Sequence, residues 1–418
     1  MTRRGAAALI LLDAPAPGVE AAALLRGGAL QDLRVARPAM AASPGSSPAP
    51  EALYLARVLR LLPKGEAGDG AAICALGPDQ AAPRAYLPRP QGLREGDAVL
   101  LELRRWPTDG KAWPATRRVT LRSRRLALTP GAPGLNISRS ISDEETRETL
   151  RSALRQGLEG ASEAERVGCV ARSAAATRPS GLAEEVAWLH AAWRAISEAA
   201  RKGGAPRLLR AAPGPCALLL RDGADPLRPE AALAVSTRSE PRLKGALEEM
   251  LAPSDPAWDA IDAALSEAER DPFDRADIAN QAWAALAPTQ ALPGGGALHL
   301  EPTRALVAVD VDAGDASALT ADLDAASALP RLLRLRGVAG LIAVDFISRA
   351  EKDRRRVEQR LVEGLRGDPA ATEILGWTAG GVLELRRHRA RPQLTPADLD
   401  AWFGPEGYAN ADQGAPNG

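Results

Sequence analysis

Residues 305–314 read ALVAVDVDAG, and residues 340–347 read GLIAVDFI. Each is a short apolar run, bounded by Gly or a turn residue, that reaches an aspartate near its end. Such runs read as strands, and their continuous apolarity predicts a sheet covered on both faces. An isolated strand-end aspartate is most often a helix cap or an ion-pair partner. A pair carries more meaning. Burying a carboxylate is costly unless a cation offsets the lost hydration, and two or three together make a hard, oxygen-rich site suited to Mg²⁺. Asp310, Asp345 and Asp312 are the residues that would build it.

Around these runs the sequence alternates strand and helix. One helix is expected to end near Arg336. A second covers about 352–366, with Val357, Leu361 and Leu365 inward, and is ended by Gly367 and Pro369. A last strand at 382–385 leads into a basic segment. This is an α/β layer, and residues 288–296 are its turn-rich boundary. Upstream, residues 142–145 form a capping-box pattern that opens a helix running to about 157. Another helix covers about 182–202, where Val186, Leu189, Trp193 and Ile196 make an apolar stripe with His190 on its flank. Asp255-Pro256 opens a further helix. Between 54 and 122 lie five short strand-like pieces, at 54–62, 71–76, 85–87, 98–103 and 118–121, separated by Gly and Pro turns. They suit a small barrel of the OB type, a common nucleic-acid binder. Residues 36–50 read as a linker, and residues after Gly404 as disordered.

Composition narrows the class. A chain of 418 residues with 45% hydrophobic and 25% charged residues is ordinary for a soluble protein of several subdomains. Its formal net charge of zero excludes a global field that pulls it onto nucleic acid. Polyanion binding must come from local clusters, namely Arg117 with Arg118 and the basic runs at 122–125, 354–356 and 386–391, although such runs are usually solvated faces. Cys74, Cys169 and Cys216 match no zinc spacing and suit a reducing, cytoplasmic setting. Residues 2–12 faintly mimic a signal peptide, but Asp13 ends the run early, so a first strand is expected there. No segment is long enough to cross a bilayer, and no membrane partner is expected.

The C-terminal block resembles the ribonuclease E/G family. Gly294-Gly295-Gly296, an apolar strand and Asp310-Val311-Asp312-Ala313-Gly314 resemble that family's first metal motif. Residues 333–347, LRLRGVAGLIAVDFI, resemble its second. Tyr86-Leu87-Pro88, Asn136-Ile137-Ser138-Arg139 and Val170-Ala171-Arg172-Ser173 follow the family order upstream. The resemblance implies a ribonuclease H-like part (1–35 and 206–288), interrupted by an OB-type barrel (51–122) and a 5′-phosphate sensor region (123–205). A DNase I-like catalytic domain (289–391) and a C-terminal tail (392–418) follow. It implies Mg²⁺-dependent endonucleolytic cleavage of single-stranded RNA, in RNA processing or decay, favouring 5′-monophosphate ends. Asp310 and Asp345 would be the catalytic, metal-binding carboxylates. Asp312 would be a third ligand, in a slot that is usually Asn. Arg172 and Ser173 match an Arg-Thr pair that grips the 5′-phosphate, and Tyr86 and Lys111 would face RNA.

The chain also departs from that pattern. The loop 315–321 is short and holds no Arg or Lys. Ile73 stands where a stacking aromatic is expected, and Thr378-Ala379-Gly380-Gly381 lacks a usual Arg. No cysteine follows Cys216, so a zinc-linked assembly is not expected and the oligomeric state is open. The alternative function is a catalytically degenerate paralogue that binds RNA or a protein.

Overall fold

The structure, a computed structural model, describes residues 7–16, 19–36, 48–63, 69–107, 110–161, 166–237, 239–366 and 368–404. Residues 37–47 of the expected linker at 36–50 and the segment after Gly404 lie outside them. The chain divides into two compact units, one made of Met1–Leu11, Ala22–Val35 and Asp271–Gly418, the other of Leu12–Ala21 and Ala36–Arg270. Among the described residues, no helix is long and apolar enough to cross a membrane. The N-terminal run is a strand, Ala8–Ala16, as expected.

The second unit holds the barrel. The ten-residue strand Leu53–Leu62 pairs with Ala71–Ala75 along one edge and with Ala98–Leu103 along the other. Arg84–Pro88 and Trp113–Thr116 complete a closed five-stranded circuit. A bulge between Val58 and Arg60 bends the long strand so that it can serve both neighbours. Ala56, Val58, Cys74, Leu87, Leu101 and Leu103 fill the interior. The fifth strand is not residues 118–121, as expected, but Trp113–Thr116. Pro114 removes a ladder donor and disguises that strand. Val119 and Leu121 instead enter the core of the next sheet. That sheet is ordered Gly134–Ile137, Val167–Ala171, Leu126–Pro130, Leu121–Arg122, and its core includes residues of the helices Glu144–Gly157 and Leu182–Arg201. The first of these helices is capped by Asp143, whose Oδ2 accepts the Thr146 amide at 2.8 Å, one residue after the expected start. His190 is buried, as are Val186, Leu189 and Ile196 of the stripe it flanks, while Trp193 is half-buried.

The first unit is built on a six-stranded sheet, ordered Thr289–Ala291, Ala297–Pro302, Val307–Asp312, Gly340–Asp345, Leu383–Arg387, Thr372–Trp377. Val307–Asp312 and Gly340–Asp345 run parallel, joined through the helix Ala318–Arg336. Leu298, Leu300, Val309, Val311, Ile342, Val344, Leu383 and Leu385 are buried on one face. The opposite face is open, which corrects the expectation of two covered faces. It carries Ala308, Ala343, His299 and the aspartates. Small alanines alternate with Val and Ile, so the period-2 pattern reads as a continuous apolar run. Helix Glu351–Leu365 packs on Ala318–Arg336, and Gly364 leaves room for the ring of Pro330, which sits inside the longer helix.

Candidate active site

Asp310 and Asp345 are direct register partners on the two parallel strands. Neighbouring strands lie about 4.8 Å apart, and in-register residues point to the same side. Both aspartates are exposed on the open face. His299 is the partner of Asp310 on its other side, and its Nδ1 lies 3.0 Å from Thr289 Oγ1. Asp312, two residues on from Asp310, is turned into its own loop, where Oδ1 accepts the Gly314 amide at 3.0 Å. That turn lies against the Gly294-Gly295-Gly296 turn. A side chain at Gly296 would run into the backbone of Asp312, and one at Gly314 into the backbone of Gly295. Close approach of two backbones is therefore why the motif is glycine-rich.

Beyond Asp345, its Oδ1 accepts from Arg349 Nη2 at 3.2 Å, while Arg349 Nη1 donates to the Gly381 carbonyl at 3.1 Å. Gly381 has φ +91°, and a Cβ there would strike the guanidinium groups of both Arg349 and Arg354. Arg354 lies 4.8 Å over the ring of Trp377. The loop itself is held by Asp322. This fully buried carboxylate on the long helix accepts the amides of Ile347 at 2.9 Å and Ser348 at 2.7 Å. The sequence reading missed Asp322. Its one signal was an acidic residue on an apolar helix face. Among the described residues, no group of three or more His, Cys, Asp or Glu side chains could hold a metal ion. Two carboxylates are still a sufficient protein contribution for Mg²⁺, which keeps several waters and takes further ligands from substrate phosphates.

In the second unit, Arg172 donates to Asp222 Oδ1 at 2.5 Å and to the Ser123 carbonyl at 2.8 Å, and the exposed Ser173 opens the short 3-10 turn that follows. Arg221 forks onto Glu51 at 2.6 and 2.7 Å and also reaches Asp222. Burial pushes the Asp222 carboxyl up, but Arg221 and Arg172 outweigh it and hold the group down at about 2. The cluster at 122–125 is neither a polyanion patch nor a solvated face. Arg124 is fully buried on Asp255 (2.7 Å) and Asp225 (3.2 Å), and Arg125 on Glu185 (2.6 Å). Arg387 and Arg391 in the C-terminal basic run are likewise spent on Asp368 and Asp32. On the barrel, Tyr86 is 41% exposed and lies in a row with Arg60, Ile73 and Pro114. Lys111 lines a shallow cleft of about 340 Å³ with Gln80, Arg84 and Trp113.

The sequence model of the Ribonuclease E/G family matches residues 120–390. The chain belongs to that family. The match includes both parallel strands with their aspartates and the Arg172-Ser173 turn. Ribonuclease G of Escherichia coli (strain K12) is 27% identical over 90% of this chain and 79% of its own length. Ribonuclease E of Nostoc sp. is 32% identical over 70% of this chain, and Ribonuclease E of E. coli (strain K12) 28% identical over 89%. The chain spans 43% and 36% of those two longer relatives. Set within the family, the open sheet face is where this chain keeps its paired carboxylates. The Thr378–Gly381 turn, with no arginine of its own, is met by Arg349 from the neighbouring loop.

Proposed function

We propose that the protein is a metal-dependent endoribonuclease acting on single-stranded RNA in processing or decay. The observation that carries this reading is the register of Asp310 on Asp345 on an open face, in a chain of the ribonuclease E/G family. Asp310 and Asp345 would hold Mg²⁺, with Asp312 at the rim, still tied to its own turn. Bound there, the ion would neutralise charge on a scissile phosphate and lower the pKa of a coordinated water. The protein's own part is to hold the two carboxylates in place. The strand ladder fixes their spacing, and Asp322 fixes the backbone that follows Asp345. Tyr86 offers a stacking platform and Lys111 a cation for the RNA strand. Arg172 and Ser173 supply a forked and a rotatable donor for a 5′-monophosphate, so such ends would be favoured, and Asp222 competes for the same guanidinium. The ribonuclease H-like and DNase I-like assignments and a cytoplasmic location belong to the same proposal. Purified protein should cut single-stranded RNA with Mg²⁺, stop with EDTA, and lose cleavage in Asp345→Asn. Cleavage undiminished in that variant would refute the assignment. A second reading, an RNA-binding chain without turnover, draws on the pairing of Asp345 with Arg349. RNA retention without cleavage would establish it.

A further inference from the structure

We infer that Arg349 is a catalytic residue that contacts the scissile phosphate beside Asp345, in place of the cation missing from the Thr378–Gly381 turn. The inference rests on the assignment of Asp310 and Asp345 above. Among the described residues, Arg349 is the only Lys or Arg in an ion pair with either carboxylate. Residues 305–330 contain no Lys or Arg, so no cation comes from the strand or the first part of the helix that follow the first motif.

The Arg349–Asp345 pair is too exposed, at 55% and 49%, to be an element of stability. Pairs of this kind contribute little to stability. The guanidinium is nevertheless held in place. Nη1 is anchored on the Gly381 carbonyl, and the positive φ of Gly381 favours glycine there, which lets the guanidinium groups of Arg349 and Arg354 lie close over its Cα. Arg354 is in turn set over Trp377. One edge of Arg349 is thus fixed to backbone, and Nη2 stands 3.2 Å from the carboxylate that would face the reaction. A phosphate brought to Asp345 arrives within reach of this guanidinium. A planar fork can pass from carboxylate to phosphate oxygens without moving its anchor. Charge that grows on the phosphoryl oxygens during attack then meets a donor already oriented toward it.

The test is single-turnover cleavage of a short single-stranded RNA by Arg349→Ala, Arg349→Lys and Asp345→Asn, with Mn²⁺ affinity measured by EPR in the absence of RNA. Arg349→Ala should lower the rate at saturating RNA by about 100-fold and leave half-saturation little changed. Added guanidinium ion should restore part of the rate, and Arg349→Lys should fall between. Mn²⁺ should bind Arg349→Ala more tightly than the parent, because a competing cation is gone from Asp345. An Arg349→Ala rate within about twofold of the parent, with Asp345→Asn inactive, overturns the role of Arg349 and leaves the carboxylate assignment standing. Loss of rate with a lowered melting temperature, no rescue by guanidinium and unchanged Mn²⁺ affinity also overturns it, in favour of a structural role. A parent protein that cuts no RNA removes both.

Discussion

Asp322 and Asp222 show how single carboxylates are put to different uses. Asp322 has no solvent and spends its oxygens on two backbone amides at the end of the Gly340–Asp345 strand. Replacing it with Ala leaves a buried donor, the Ser348 amide, and a part-buried one, the Ile347 amide, unpaired, and the buried one costs about 1–3 kcal/mol. Asp322→Ala should therefore shift the urea midpoint downward and slow cleavage, because the backbone after Asp345 is released. Asp322→Asn should rescue part of both, since one amide oxygen can still accept. Asp222 works through charge. Its carboxyl sits at about 2 in the folded protein against an ordinary value of 3.8. A depressed carboxylate stabilises the fold above pH 4, and the contribution is lost as pH falls from 4 towards 2. The shift corresponds to roughly 2 kcal/mol. Urea unfolding at pH 6 and pH 3 should show a smaller acid loss in Asp222→Asn than in the parent. Equal losses would mean that Arg172 and Arg221 are satisfied elsewhere.

At the scale of elements, the two long helices of the first unit meet at Pro330 and Gly364. A proline inside a helix ordinarily costs about 3 kcal/mol. Here its ring reaches toward Gly364 of the partner helix, where a Cβ would lie 2.8 Å from Pro330 Cγ. Gly364→Val should destabilise by about 1–3 kcal/mol through overpacking, measured as a lower denaturant midpoint, whereas Gly364→Ala costs less. The helices and the parallel strands were legible in the sequence because their patterns are long and local. Val357 and Leu361 are buried as expected, and both strands lie where the apolar runs stand. Less was legible where the pattern is short or interrupted. Thr289–Ala291 and Ala297–Pro302 flank a Gly-rich turn that reads as boundary, and a register shift beside Gly376 masks Thr372–Trp377. The helix Pro396–Phe403, with its Thr395 capping box, falls in the expected tail. The paired aspartates were visible at the strand ends. The burial of Arg124 and Arg125 was not, because their partners Asp255 and Glu185 are 131 and 60 residues away.

For the whole molecule, those buried arginines decide how RNA binding should respond to salt. The formal net charge is zero, so long-range attraction to a polyanion is absent and affinity depends on the cations left free. Arg124, Arg125, Arg387 and Arg391 are committed to carboxylates. On the barrel, Arg60, Arg84 and Lys111 remain exposed around Tyr86. For single strands each neutralised phosphate contributes about −0.7 to the slope of log affinity against log salt. Three contacts on this face contribute about −2 to that slope. Lys111→Ala should make the slope less negative by about 0.7. Tyr86→Ala should leave the slope unchanged and lower affinity by about 1–3 kcal/mol, the size of one base stack. Fluorescence anisotropy of a labelled single-stranded RNA over a salt series separates the two effects. The barrel face fails as the RNA surface if Lys111→Ala and Tyr86→Ala both bind as the parent does at every salt concentration.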